Sequence, residues 1–320
     1  MAALGGMLLS PARQTLPQTA QQEQPFTLSV QAQVVTVPVT VRDGKGRLLD
    51  GLTKQDFTLL EDGVPQRIRY LSVDHDRPLV VGLLVDTSGS QKEFISKERT
   101  AASQFLASML VRPEDTAFLI RFDNAISLLA KPTSARDDLA AALGHLEDTH
   151  APRLEHPGGT LLYDALDLTC ERVTRGVEGR NALVVLTDGR DSGSQLTLDA
   201  AIQAAQVSNT VIYSILYTNE QPGWLAGRDP GQLRGKEVLT RLSEATGGRM
   251  YQVTFRQGLD RIFSAIAEEM RMQYVLGYTP ANHGPGYGFR KIEIKGRDTT
   301  WKVQTRTGYF YSGAEDAGGE

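Results

Sequence analysis

The sequence predicts an α/β fold: a doubly wound, Rossmann-like domain with a mostly parallel sheet, inserted in a small β-sandwich-like module built from both of its flanks. Two observations carry this expectation. Between residues 77 and 271, continuous apolar runs alternate with runs of helical periodicity, the rhythm of βαβ units with parallel pairing and right-handed crossovers. Over 27–76 and 272–312 the pattern changes to that of β segments. Neither flank has strands enough for a stable sandwich alone, so the two are expected to pair with each other.

Taken in order, residues 1–26 read as a leader or disordered linker. "MAALGGMLLS" is short and apolar and the stretch after it is polar. Together they resemble the tail of a secretory signal whose basic start is missing. The expectation is therefore an extracytoplasmic protein, periplasmic or secreted, with a cytoplasmic one as the alternative. In "VVTVPVTV", Val35, Val37, Val39 and Val41 share one face of a half-buried strand. Pro38 removes a backbone donor, which points to an edge strand. "RDGKGR" is a turn, and Asp62-Gly63 closes a hairpin that needs positive φ.

"RPLVVGLLVD" is a strand covered on both faces. A helix follows with Phe94, Ile95, Phe105, Leu106, Met109 and Leu110 at helical spacing. "DTAFLIRF" and "ISLLA" are strands, "DDLAAALGHL" and "LLYDALDLTCERV" helices, and "NALVVLTDG" another buried strand. "LDAAIQAAQVS" is a helix and "TVIYSILY" a strand. "KEVLTRLSEATGG" is a helix closed by Gly247-Gly248, followed by the strand "RMYQV" and the helix "QGLDRIFSAIAEEM". "QYVLGYTP", "FRKIEIKG" and "WKVQTRTGYF" return to β structure, and 313–320 read as a disordered tail.

Bulk properties narrow the function. The 34 basic and 38 acidic residues leave a net charge of −4, which argues against a nucleic-acid binder. No run approaches the roughly 20 apolar residues of a membrane span. The lone cysteine, Cys170, excludes an intrachain disulfide and reads as a small core residue.

In doubly wound sheets ligands bind outside the carboxyl ends of the strands. Three oxygen-rich stretches map there: Asp86-Thr87-Ser88-Gly89-Ser90, "HPGGT" ending at Thr160, and "LTDGRD" with Asp188. Alternate positions of an extended stretch point one way, so Asp86, Ser88 and Ser90 are expected to converge. Gly89, Gly158 and Gly159 let backbone approach closely. Asp, Ser and Thr offer oxygen alone, which suits a hard cation: Mg²⁺ first, with Mn²⁺ or Ca²⁺ as alternatives. Taken singly, each residue also suits turn or helix-cap chemistry, a reading that does not cover all three stretches together.

D-x-S-x-S, a distant Thr and T-D-G after a buried strand resemble the metal-ion-dependent adhesion site of von Willebrand factor type A domains. The likeness spans most of 77–271, including "GGTLLYDAL", "LVVLTDGRD" and "EATGGRMY". The flanks, "VTVRDGKGRLLDGLTKQDFTLLEDG" and "QYVLGYTP…TRTGYF", resemble a bacterial, mostly acidobacterial, group of von Willebrand A-related proteins. The resemblance implies that Ser88 and Ser90 ligate the metal through hydroxyls. It implies that Thr160 does so directly or through water, and that Asp86 and Asp188 hold metal-bound waters or ligate directly. It also implies that a partner protein completes the coordination with an Asp or Glu. Charge supports that last step, since neutral hydroxyls leave much of a divalent charge unneutralised.

Other residues are weaker candidates. Gly159, Asp191, His156 and Trp224 are candidates for partner contact or for supporting the ligands. Asp191, Asp123 and Asp164 read more simply as loop or capping carboxylates. The five histidines show no metal-ligand spacing. The leading expectation is a non-enzymatic protein-binding module, an adhesion or scaffold function. The alternatives are a metal-dependent hydrolase or phosphoryl-transfer enzyme, which needs a base near the ion, and a structural envelope component with a vestigial metal site.

Overall fold

The computed structural model describes residues 34–73, 77–88, 92–146, 159–217, 230–254, 256–281 and 287–312. The first strand, β1 (Val35–Arg42), buries Val35, Val37, Val39 and Val41, the period-2 face that its sequence alternates. β2 (Phe57–Glu61) and β3 (Val64–Gln66) form a hairpin. Its turn residues Asp62 and Gly63 have φ of 50° and 81°, angles that Asp tolerates and Gly adopts without strain. β4 (Ile68–Val73) follows.

Every residue of β5 (Leu79–Asp86) is buried, because helices cover both faces of the sheet it centres. Then come α1 (Lys92–Met109), β6 (Thr116–Phe122), β7 (Ile126–Thr133) and α2 (Arg136–Gly144). α3 (Leu162–Thr169) runs into a π turn at Cys170–Thr174. β8 (Arg180–Thr187), α4 (Leu198–Val207), β9 (Thr210–Leu216), α5 (Pro230–Thr246), β10 (Met250–Gln252) and α6 (Leu259–Arg271) complete this part.

Among the described residues the order of this sheet is β10-β9-β8-β5-β6-β7. All neighbours are parallel except β6 and β7, which form an antiparallel hairpin at one edge. Alternate β5 residues face opposite layers. Leu79, Val81, Leu83 and Val85 pack with residues of α1, α2 and α6, while Val80 and Leu84 pack with residues of α3, α4 and α5. Each such fully buried side chain contributes roughly 1.5–3 kcal/mol. Gly82 has no room to be larger: a Cβ there would lie 2.2 Å from the Phe118 ring.

The chain continues through β11 (Tyr274–Tyr278), β12 (Tyr287–Gly296), β13 (Lys302–Thr305) and β14 (Gly308–Ser312). Strands from both ends of the chain pair into two antiparallel sheets, β13-β1-β11-β4 and β14-β12-β2-β3. Val37 and Val39 of one sheet share a core with Leu59, Ile292 and Ile294 of the other, the packing of a small sandwich.

Two strand expectations need correction. Pro38 is not on an edge strand, because β1 lies between β13 and β11. The β13 ladder begins only at Val39, and the Thr305 hydroxyl donates to the Pro38 carbonyl at 2.8 Å. The N–H that Pro38 lacks would face the same side, just past the end of β13, so no ladder bond is lost. "WKVQTRTGYF" is not one strand. It breaks at Arg306-Thr307, where the chain crosses from one sheet to the other. Arg306 is buried at the crossing and donates to the Thr36 carbonyl at 2.8 Å and to Asn209 Oδ1 at 3.0 Å.

A buried ionic cluster joins the sandwich strands to the α/β part. Glu269 of α6 is fully buried and accepts from Arg42 of β1 at 2.5 Å, Gln304 of β13 at 2.5 Å and the Tyr251 hydroxyl of β10 at 3.2 Å. A buried charge persists when it is paired and its lone pairs are filled, and these three donors meet that need.

Candidate functional site

The carboxyl ends of β5 and β8 lie side by side, since Val85 pairs with Leu186. That register sets Asp86 beside Thr187. Asp86 is 1% exposed, and its Oδ2 accepts the Thr187 hydroxyl at 2.6 Å. Its Oδ1 accepts the Ser88 N–H at 2.9 Å, and the Ser88 hydroxyl also bonds the carboxylate. The strand ends at Asp86 and the backbone bends at Ser88. The two side chains thus meet through a tight Asp-centred turn, and not through the extended alternation expected from sequence.

Burial pushes the Asp86 carboxyl up to about 6, against the bonds from Thr187 and Ser88, and the nearby charge of Asp188 adds to the rise. Asp188, the first residue after β8, has a side chain 13% exposed. Its Oδ1 accepts the Arg190 N–H at 3.0 Å, and its Oδ2 lies 3.8 Å from Arg190 Nε. Gly189 adopts φ 78°, which brings this turn against the backbone of α5.

Thr160 is buried just ahead of α3 and does not cap that helix; the cap position is Leu161. Its N–H donates to Ser192 Oγ at 3.1 Å, and its carbonyl accepts from the N–H groups of Ser192 and Gly193 at 3.2 and 3.3 Å. The next N–H, of Leu161, donates to the Asp123 carbonyl at 2.9 Å. Asp123 Oδ2 in turn accepts the Thr87 hydroxyl at 3.2 Å. Backbone bonds therefore tie the loop of Thr160 to the turn after β8, and Asp123 relays it through the Thr87 hydroxyl to the end of β5. Gly159 allows this: a Cβ there would lie 3.2 Å from Gly193 Cα.

Of the five candidate ligands, Asp86 and Ser88 are hydrogen-bonded to each other, the charge of Asp188 acts on Asp86 from the end of the adjacent strand, and Thr160 is linked to both strand ends through its neighbours. Ser90 lies outside the described residues, as do His156 and Trp224. Asp191 holds its own loop, with Oδ1 accepting the Ser194 hydroxyl at 2.6 Å and the Tyr163 N–H at 3.2 Å. Asp164, on α3, holds the far end of that same loop, accepting the N–H groups of Gln195 and Leu196. Two contributors escaped the sequence reading. Thr187 was legible only as part of T-D-G, and Asp123 only as a capping carboxylate.

The family model of the von Willebrand factor type A domain matches residues 81–190. The chain carries a von Willebrand factor type A domain. The matched stretch runs from β5 to the loop after β8 and so holds Asp86, Ser88, Ser90, Thr160 and Asp188. No curated protein matches the chain.

Several solved structures resemble this chain. An aerotolerance-related membrane protein from Bacteroides fragilis is 16% identical, covering 60% of this chain and 98% of its own, with a TM-score of 0.44. Proximal thread matrix protein 1 of the mussel byssus, solved with a zinc-occupied MIDAS motif, is 15% identical over 66% of this chain and 49% of its own, with a TM-score of 0.47. The vWF domain of the type V pili tip protein Mfa5 from Porphyromonas gingivalis is 12% identical over 60% and 94%, with a TM-score of 0.43. No described helix is long and apolar enough to cross a membrane.

The oxygen donors of the candidate residues suit a hard divalent cation. Among the described residues no three His, Cys, Asp or Glu side chains cluster as ligands. The candidate set instead has two carboxylates, Asp86 and Asp188, with hydroxyls supplying the rest. A buried carboxyl already raised toward neutrality beside a second carboxylate is an arrangement that a cation relieves.

Proposed function

We propose that this protein is a non-enzymatic binding module that grips an acidic side chain of a partner protein through a divalent cation, Mg²⁺ foremost. Asp86, Ser88, Ser90, Thr160 and Asp188 would hold the ion, and the domain of residues 77–271 would present it from within the flanking β module. What supports this reading is the bonded pair Asp86 and Ser88 at the end of β5, with Asp188 directly following the adjacent parallel strand β8. The ion would supply a positive charge that the hydroxyl ligands leave largely unneutralised, open to an incoming carboxylate. Thr187 would hold Asp86 in place, and the ties of Thr160 to Ser192 and Gly193 would fix the third loop.

The test is thermal. Mg²⁺ or Mn²⁺ at about 100 times its dissociation constant stabilises the wild type by about 2.7 kcal/mol, read as a rise in Tm. Asp86→Ala and Asp188→Ala lose that rise. Equal metal-dependent shifts in all three proteins would remove these residues from the site.

A further inference from the structure

The candidate site carries a cation of its own. Arg190, in the turn after β8, places Nε 3.8 Å from Asp188 Oδ2, while its backbone N–H donates to Asp188 Oδ1 at 3.0 Å. Its side chain is 49% exposed, so one face meets solvent. The other face is seated. A Cβ on Gly231 would lie 2.9 Å from both Arg190 Cζ and Nη2, so the guanidinium occupies the space where a side chain at 231 would stand.

One helical turn on, Gly235 brings the α5 backbone against the same turn. A Cβ there would lie 2.1 Å from the Asp188 carbonyl oxygen. Residues four apart share a helix face, so Gly231 and Gly235 form one notch that receives Asp188, Gly189 and Arg190.

Resting on the cation reading of this site, we propose that Arg190 is the built-in counter-ion of Asp188 and competes with the divalent cation for its carboxylate. Without metal, the guanidinium offsets the charge of Asp188 at the mouth of the site. With a divalent ion held by Asp188, the guanidinium would be repelled and its hold on the carboxylate weakened. Partly exposed as it is, the displaced guanidinium would be available to an incoming carboxylate. Arg190 would thus set the threshold for metal loading and add a second positive contact for the acidic partner. Its planar fork suits carboxylates, which an ammonium group does not match.

The experiment is a Mn²⁺ binding isotherm on the full chain at low salt. Wild type is compared with Arg190→Gln and Gly231→Ala, each first shown to melt like wild type in chelator. Gln removes the charge. Ala at 231 pushes the guanidinium from its seat while leaving the charge present. Both variants should bind Mn²⁺ several-fold more tightly than wild type, and the gap should narrow as salt is raised. Wild-type or weaker affinity in Arg190→Gln, with wild type binding normally, overturns the counter-ion role alone. Wild-type affinity in Gly231→Ala removes the notch from the account. If Mn²⁺ binds none of the three, the cation reading falls and this inference falls with it.

Discussion

Thr187 donates its hydroxyl to Asp86 Oδ2 at 2.6 Å, joining the ends of two neighbouring parallel strands. The bond is buried, and it offsets part of the cost of enclosing the carboxyl. Thr187→Val keeps the side-chain shape and deletes the donor. It is expected to lower stability by about 1–3 kcal/mol, the cost of leaving a buried acceptor unsatisfied, while Thr187→Ser keeps most of the wild-type value. Urea denaturation measures both, and no loss in the Val variant would show that the bond contributes nothing.

The Glu269 cluster predicts strong coupling between the sandwich strands and the α/β part. Glu269→Ala leaves Arg42, only 12% exposed, without its carboxylate. The expected loss is about 3–5 kcal/mol, as when one member of a buried ion pair is removed. A double-mutant cycle with Arg42→Ala checks the pairing. Additive losses would show that the two side chains are not coupled.

Buried phenols make the fold sensitive to alkali. Burial pushes Tyr309 up to about 12, and it raises Tyr278, Tyr251 and Tyr213 as well. The folded state therefore keeps protons that unfolded tyrosines release from about pH 10. With more protons bound in the folded state, stability falls as pH rises from about 10 through about 12. Phenolate absorbance should rise in step with loss of circular dichroism for these residues. Their ionisation at ordinary pH in an intact fold would contradict the packing.

Cys170 is fully buried, and burial pushes its thiol up to about 12. The thiolate is the reactive form, so a disulfide exchange reagent should modify Cys170 only as fast as the protein unfolds. Rapid modification of the native protein would place the thiol at the surface.

What the sequence made legible was local. The valine face of β1, the Asp62-Gly63 turn and the apolar run of β5 are written in neighbouring residues, and they signal burial wherever the strand goes. The oxygen-bearing residues after β5 and β8 were legible for the same reason, because each sits where an apolar run stops.

What escaped depends on register and distance. Pro38 reads as an edge residue until the end point of β13 is known, and β13 lies far along the chain. Thr187 acquires its role from the β5–β8 register, which a sequence of two buried strands does not state. In "AEEM" nothing marks Glu269 as the buried one of two adjacent acids, since its partner Arg42 is 227 positions away. The bend at Ser88 escaped because a five-residue motif reads as well extended as turned.

The most direct measurement is a crystal of the wild-type protein soaked in Mn²⁺, with anomalous scattering used to locate the ion. A peak coordinated by oxygens of Ser88, Ser90 or Thr160, and by Asp86 or Asp188 directly or through water, is the predicted result. A well-ordered strand-end site with no peak, or a peak held by other residues alone, would contradict the account.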